Sequence, residues 1–386
     1  MLLAVAALIA PVAYVAIFSG FYATDDEGYF LVLFRDYLAG RPLLGPTTPV
    51  YGPFFFETLA AVFRVLGLAP GQDTGRTLTL VLWLLTGLLG ALATFRLSRN
   101  LWLAIGAQLV TFHTLADLTH EPMSPQALIA LLLVALAATA TLQSARPRFS
   151  GAMAGGIVAA LCLTKINVGL FAGVAVVVTW CACLRGTWRR VLLPAALVGT
   201  VLLPLAVTFS LLTQPWVAEF AIGMALTFAS LGVVLLALDR GSGTAYDARW
   251  VFVGGAAVTL TCLTIAIAEG TSLSDVWNGL IVFSLRVPHI FTIPLDISPL
   301  FDVIAVASLA GAIAVATLRR PSLLSPAIRA SLGLAIFVAM FLVPTDVFLI
   351  TLPAAWVVAV PPDGVVDDHL TRGTRVLLAA LVIANT

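Results

Sequence analysis

Long apolar runs, broken by short joints that carry arginine, proline and glycine, dominate the chain from end to end. A hydrocarbon core about 30 Å thick needs about 20 helical residues. Runs that meet this rule fall roughly at 1–20, 77–95, 101–117, 125–143, 150–164, 167–184, 191–212, 217–238, 250–268, 299–318, 328–343 and 345–360. A thirteenth begins near 376 and is still apolar at Thr386, so the chain is expected to continue beyond it. Two shorter pieces differ. Residues 27–39 and 53–66 are apolar but interrupted by Arg35, Asp36, Glu57 and Arg64, and each is followed by a glycine, Gly40 or Gly67, suited to stopping a helix. Such helices lie in a membrane interface rather than cross it. The pattern predicts an all-α protein: a polytopic transmembrane bundle of about 12–13 helices with interfacial helices in its first outer loop. It forms one transmembrane domain over 1–386, with a first outer loop at 21–76 and a late one at 269–298.

Composition agrees with that setting, since 61% of residues are hydrophobic, only 10% are charged and the mean hydropathy is +1.07. The net charge of +1 and the lack of a clustered basic face exclude nucleic acid as a partner. Cys162, Cys181, Cys183 and Cys262 sit in or beside apolar runs without metal or redox spacing. Nothing near Met1 resembles a cleaved signal peptide, so the first span is expected to be retained. Basic residues favour short cytoplasmic loops. If the first helix enters from the cytoplasm, alternate loops hold fourteen of the twenty basic residues, and Arg35, Arg41, Arg64, Arg76, Lys165 and Arg286 fall outside. The first loop then faces the periplasm or exterior of an inner, multi-pass membrane protein. Two helices must also separate Arg148 from Arg185, with Lys165 at the turn between them.

The chemistry on offer gathers on that outer side. Thr24-Asp25-Asp26-Glu27 places three consecutive carboxylates after the first span, where uncompensated acids are costly. Thr24 and Glu27 also have capping-box spacing, which accounts for Glu27 but not for Asp25 and Asp26. Lys165, the only lysine, reads either as a snorkelling anchor or as a cation for a phosphate. Arg286 and His289 offer a second cationic pair in the late loop, again as anchor or phosphate ligand. His113 and Asp117 are four apart and read as a structural pair on one helix face. His120 and Glu121, ahead of Pro122 and Pro125, are placed to meet the first-loop acids. A divalent metal held by Asp26 and Glu121 is one reading of such a meeting, though the spacing is not diagnostic.

The run Asp26-Glu27-Gly28-Tyr29, followed by a short helix, Gly40, a proline-rich turn and Tyr51-Gly52-Pro53-Phe54, resembles the first outer loop of the GT-C superfamily of glycosyltransferases, especially bacterial family 39 and aminoarabinose-transferase-like members. Glu121-Pro122-Met123-Ser124-Pro125-Gln126 and Lys165-Ile166-Asn167-Val168-Gly169 are similar to further segments of those proteins. The resemblance covers the first half by motif and the second by topology. It implies a membrane enzyme that moves a sugar from a polyprenyl-phosphate donor to a lipid, glycan or protein acceptor with inversion. Asp26 is then the base, with Asp25 and Glu27 beside it. Lys165, Arg286 and His289 face the donor phosphate, and His120, Glu121 and Tyr51 adjoin the acceptor or a metal. No cofactor beyond that metal is implied. A secondary transporter or flippase, or a non-catalytic scaffold of envelope assembly, remains the alternative from other classes.

Overall fold

The computed structural model describes residues 1–20, 26–43, 51–142, 145–184, 186–237, 247–286, 294, 297 and 299–317. The spans expected near 328–343, 345–360 and 376 lie outside the described residues, as do Asp25 and His289. Among those described, every regular element is helical. The first helices are α1 (Leu2–Ser19), α2 (Glu27–Leu38), α3 (Pro53–Leu66), α4 (Gln72–Ser98), α5 (Leu101–Thr114) and α6 (Gln126–Ala140). They are followed by α7 (Pro147–Cys162), α8 (Ile166–Cys183), α9 (Gly186–Val207), α10 (Pro215–Ala237), α11 (Ala248–Ala268), α12 (Leu273–Trp277) and α13 (Pro299–Thr317). Six of these, α1, α4, α8, α9, α10 and α11, are long and apolar enough to cross a membrane.

The two short helices form as the interruptions predict, and at about 18 and 21 Å they fall short of a bilayer core. Gly67 closes α3 with φ 63° and ψ 30°, and Leu68 N donates to Phe63 O at 2.9 Å, the pattern of a left-handed helix stop. Helix α4 begins at Gln72, ahead of the apolar run expected from 77, because Thr74 Oγ1 accepts from Gly71 N at 3.0 Å and caps it early. The run expected over 101–117 is broken, since α5 stops at Thr114 and Ala116–Thr119 form a separate tight turn. The late loop is also more regular than its prolines suggest: Ser272 and Asp275 cap α12 reciprocally, and Asn278–Phe283 continue it as a π-helix.

The chain divides into two compact units. The first combines the described parts of Met1–Leu142, Arg148–Leu170 and Asp247–Phe291. At its centre α4 packs on α1, α5 and α6. Arg99, with φ 53°, turns the chain between α4 and α5, and Asn100 Oδ1 caps α5 by accepting from Trp102 N at 2.9 Å. Trp83 on α4 stacks on Phe112 of α5 with ring centroids 4.4 Å apart, and its indole N–H donates to the Phe112 carbonyl at 3.0 Å. Beside this, α2 and α3 pack face to face through Phe30, Phe34, Phe55, Phe56 and Phe63, all buried. Phe34 meets Phe63 edge-on at 4.9 Å. The second unit takes the described residues within Gln143–Pro147, Phe171–Tyr246 and from 292 onward, with α10 packed between α9 and α13.

Helix α7 meets α11 backbone to backbone. A Cβ built on Gly155 would fall 1.8 Å from the Val251 carbonyl oxygen, and one on Gly254 would fall 1.9 Å from that of Ala152. Small residues at such crossings let apolar helices associate where hydrophobic burial gives no drive. Gly155→Val is therefore expected to lower stability by about 1–3 kcal/mol or more. Gly199→Ala, where a Cβ meets nothing within 4 Å, should not. Detergent-solubilised thermal unfolding of both variants checks this.

Candidate functional site

Glu27 and Asp26 are neighbours with opposite fates. The Glu27 carboxylate is 1% exposed and wholly engaged: Arg76 Nε reaches one oxygen at 2.9 Å, while Arg76 Nη2 and Gln72 Nε2 reach the other at 2.8 and 2.9 Å. Arg76 Nη1 also donates to the Ile17 carbonyl at 2.9 Å, so one guanidinium ties together the end of α1, the start of α2 and the start of α4. This bidentate pair explains how an arginine is tolerated inside the apolar helix α4. Three of the four lone pairs of the Glu27 carboxylate are thereby occupied, so what the structure gives Glu27 is an ion pair with Arg76. Asp26 is the N-cap residue of α2, yet its side chain makes no capping hydrogen bond and is exposed.

Two backbone bonds bring separate motifs together. Gly52 N donates to Thr164 O at 2.9 Å and Phe54 N donates to Leu163 O at 3.2 Å, so the entry to α3 is paired with the turn between α7 and α8. That turn is the one expected at Lys165. The approach is close: a Cβ on Gly52 would lie 2.1 Å from Leu163 O and 2.6 Å from Leu280 Cδ2 of the π-helical segment. As a result the Lys165 ammonium sits 5.6 Å from the centroid of the Tyr51 ring, a cation–π distance. Phe30 packs against the same ring, with centroids 5.5 Å apart.

Carboxylates from two other elements face the same tyrosine. Burial, then Glu121, then Asp26 push the Tyr51 phenol up to about 12, while Gln126 hydrogen-bonds to it. Tyr51 therefore stays neutral. Burial lowers the pKa of Lys165, and Glu121 acts in the opposite direction by favouring its charged form. Tyr29, one turn after Asp26, is raised by burial and by Asp26. Asp26, Tyr29, Tyr51, Glu121, Gln126 and Lys165 thus share one electrostatic neighbourhood, all within the first unit.

Glu121 owes its position to strained backbone. Met123, with φ 64°, occupies the left-handed region at a cost of about 1–2 kcal/mol for a residue bearing a Cβ. Its N–H donates to Thr79 Oγ1 at 2.8 Å, its side chain is buried against Gly75, and Ser124 N closes the turn onto Glu121 O at 3.2 Å. Strain of this kind persists where the surroundings over-determine it. Nothing in a linear reading marks Met123 as left-handed.

The chain matches no family model, no curated protein and no solved structure. What the site can do therefore rests on its own chemistry. His120 is exposed next to Glu121, and Arg286 is exposed just past the π-helical segment. Among the described residues no three His, Cys, Asp or Glu side chains gather as metal ligands. Asp26 and Glu121 meet around Tyr51 without a third donor of that kind.

Proposed function

We propose that this protein is a membrane glycosyltransferase of GT-C type, which moves a sugar from a polyprenyl-phosphate donor to an acceptor hydroxyl on the outer face of an inner membrane. The observation that carries the reading is the meeting, around Tyr51, of an uncommitted carboxylate, Asp26, with a half-buried cation, Lys165. Inverting transfer needs both. Asp26 takes the acceptor's proton as its oxygen attacks the anomeric carbon, the bond from that carbon to the phosphate oxygen breaks, and the departing phosphate gains charge. A preorganised cation stabilises that charge, and Lys165 is placed to supply it. Glu121 opposes the loss of the Lys165 proton that burial favours, and Gln126 hydrogen-bonds to Tyr51 beside them. Arg286, His289 and Asp25 are further candidates for the donor side and the base.

The reading assumes a polytopic bundle of about 12–13 spans, to which the six long apolar helices contribute. A greasy carrier with an anionic head is best met where short helices such as α2 and α3 lie beside membrane-length ones. Lipid, glycan and protein acceptors all present the required hydroxyl. The test is transfer from polyprenyl-phosphate sugars by the full chain in liposomes. Asp26→Asn should reduce turnover by about 10²–10⁴-fold, the usual contribution of a positioned base. Its unfolding temperature should not change. Flux of the lipid without cleavage of the sugar–phosphate bond would identify a flippase instead. Retention of full turnover in Asp26→Asn would end the proposal.

A further inference from the structure

A second polar cluster, independent of the site above, is built from α2, α3 and the end of α11. Three of its buried oxygens have no hydrogen-bond partner: Tyr37 Oη, Glu57 Oε1 and Glu269 Oε2. Tyr37 itself is only 3% exposed. Unpaired buried polar atoms are rare and each calls for an explanation. Three facing one another from three elements call for a common one.

The charges define what is missing. Arg64 donates to Glu269 Oε1 at 3.3 Å, so that pair is neutral as a unit. Among the described residues Glu57 makes no ion pair. The groups that face it are Tyr37 from α2 and Cys262 and Glu269 from α11, and Arg64 faces Tyr37 and Glu269. Both orphaned carboxylate oxygens are acceptors only, and a phenol supplies a single hydrogen. A metal is not what the set asks for, because no three ligating side chains converge among the described residues.

We propose that Glu57 and Glu269 form a proton-binding site, in which one proton carried by Glu57 is donated to Glu269, with the Tyr37 hydroxyl donating to the remaining lone pair, so that protonation fastens α3 to α11. The proton comes from solvent and no other bond changes. It makes one carboxyl a donor and leaves the other an acceptor, which satisfies all three orphaned oxygens with one added atom. Burial, reinforced by Glu269, raises Glu57 to about 7, while the Cys262 thiol pulls it the other way. Tyr37 is raised by burial and by the carboxylates it faces. A folded-state value above the ordinary carboxylate range of about 4.3 means that the folded chain binds this proton more tightly than the unfolded chain does. Stability from the site is therefore fully present at acidic pH and declines as pH rises toward 7.

Infrared spectra of the full chain in nanodiscs, taken below and above pH 7, test this directly. The wild type should show a protonated-carboxyl band at acidic pH that disappears through neutrality. Glu57→Gln should lack the band at every pH, and its unfolding temperature should lose the decline that the wild type shows over the same range. Glu269→Gln removes the like charge facing Glu57, so the band should persist but titrate at lower pH. A wild type without the band below neutrality overturns the proposal, even if the variants fail to fold. So does a band that survives unchanged in Glu57→Gln.

Discussion

Replacing Glu27 by glutamine is expected to cost about 3–5 kcal/mol of stability, because it strands a buried guanidinium without its counter-ion. Arg76 is only 2% exposed, and three of its nitrogens are already committed to the Glu27 carboxylate and the Ile17 carbonyl. Water cannot enter to compensate. Arg76→Met should be comparably damaging, since it leaves the carboxylate buried and opens the junction of α1, α2 and α4. The double variant Glu27→Gln/Arg76→Met should recover much of the loss, because two neutral side chains need no ion pair. Denaturant or thermal unfolding of the four proteins yields the coupling energy. The comparison with Asp26→Asn separates the two neighbouring acids: the Glu27 variant should lose fold and turnover together, whereas the Asp26 variant should keep its fold.

This contrast shows what a linear reading can and cannot extract. The existence and limits of α2 and α3 were legible, since Gly40 and Gly67 punctuate apolar runs too short to span a bilayer. The paired helices around Lys165 were legible too, from the charge balance of the flanking arginines. Roles within the acidic run were not. Capping-box spacing sets Glu27 apart only as a helix cap, whereas the start of α2 turns it inward toward Arg76 and leaves Asp26 exposed. The sequence does not single out Glu27 as the partner of Arg76, because Asp73 lies only three residues before that arginine on the same helix. The proton site was hidden for a different reason. Glu57 and Glu269 are 212 residues apart, and no local pattern relates one interfacial helix to the end of a distant span.

The second large effect is expected at Gly52, a residue without a side chain. Its second α-hydrogen faces the turn between α7 and α8, and a Cβ in its place would lie 2.1 Å from the Leu163 carbonyl oxygen. That atom belongs to a turn held by Lys165 N donating to Leu161 O at 2.8 Å and by Gly169 packed on Cys162, so it cannot yield as a flexible side chain could. Gly52→Val must therefore break the hydrogen bonds to Leu163 and Thr164 and move Tyr51 away from Lys165. A displacement of about 1 Å in a positioned group can cost about 100-fold in rate. The proposed transfer activity is expected to fall by at least that factor. Gly106→Ala, where a Cβ meets nothing within 4 Å, serves as the control and should be neutral or slightly stabilising, since alanine is the better helix former. If Gly52→Val retained wild-type turnover, the pairing of α3 with the Lys165 turn would not be what assembles the site, and the cation would have to reach the donor phosphate from elsewhere.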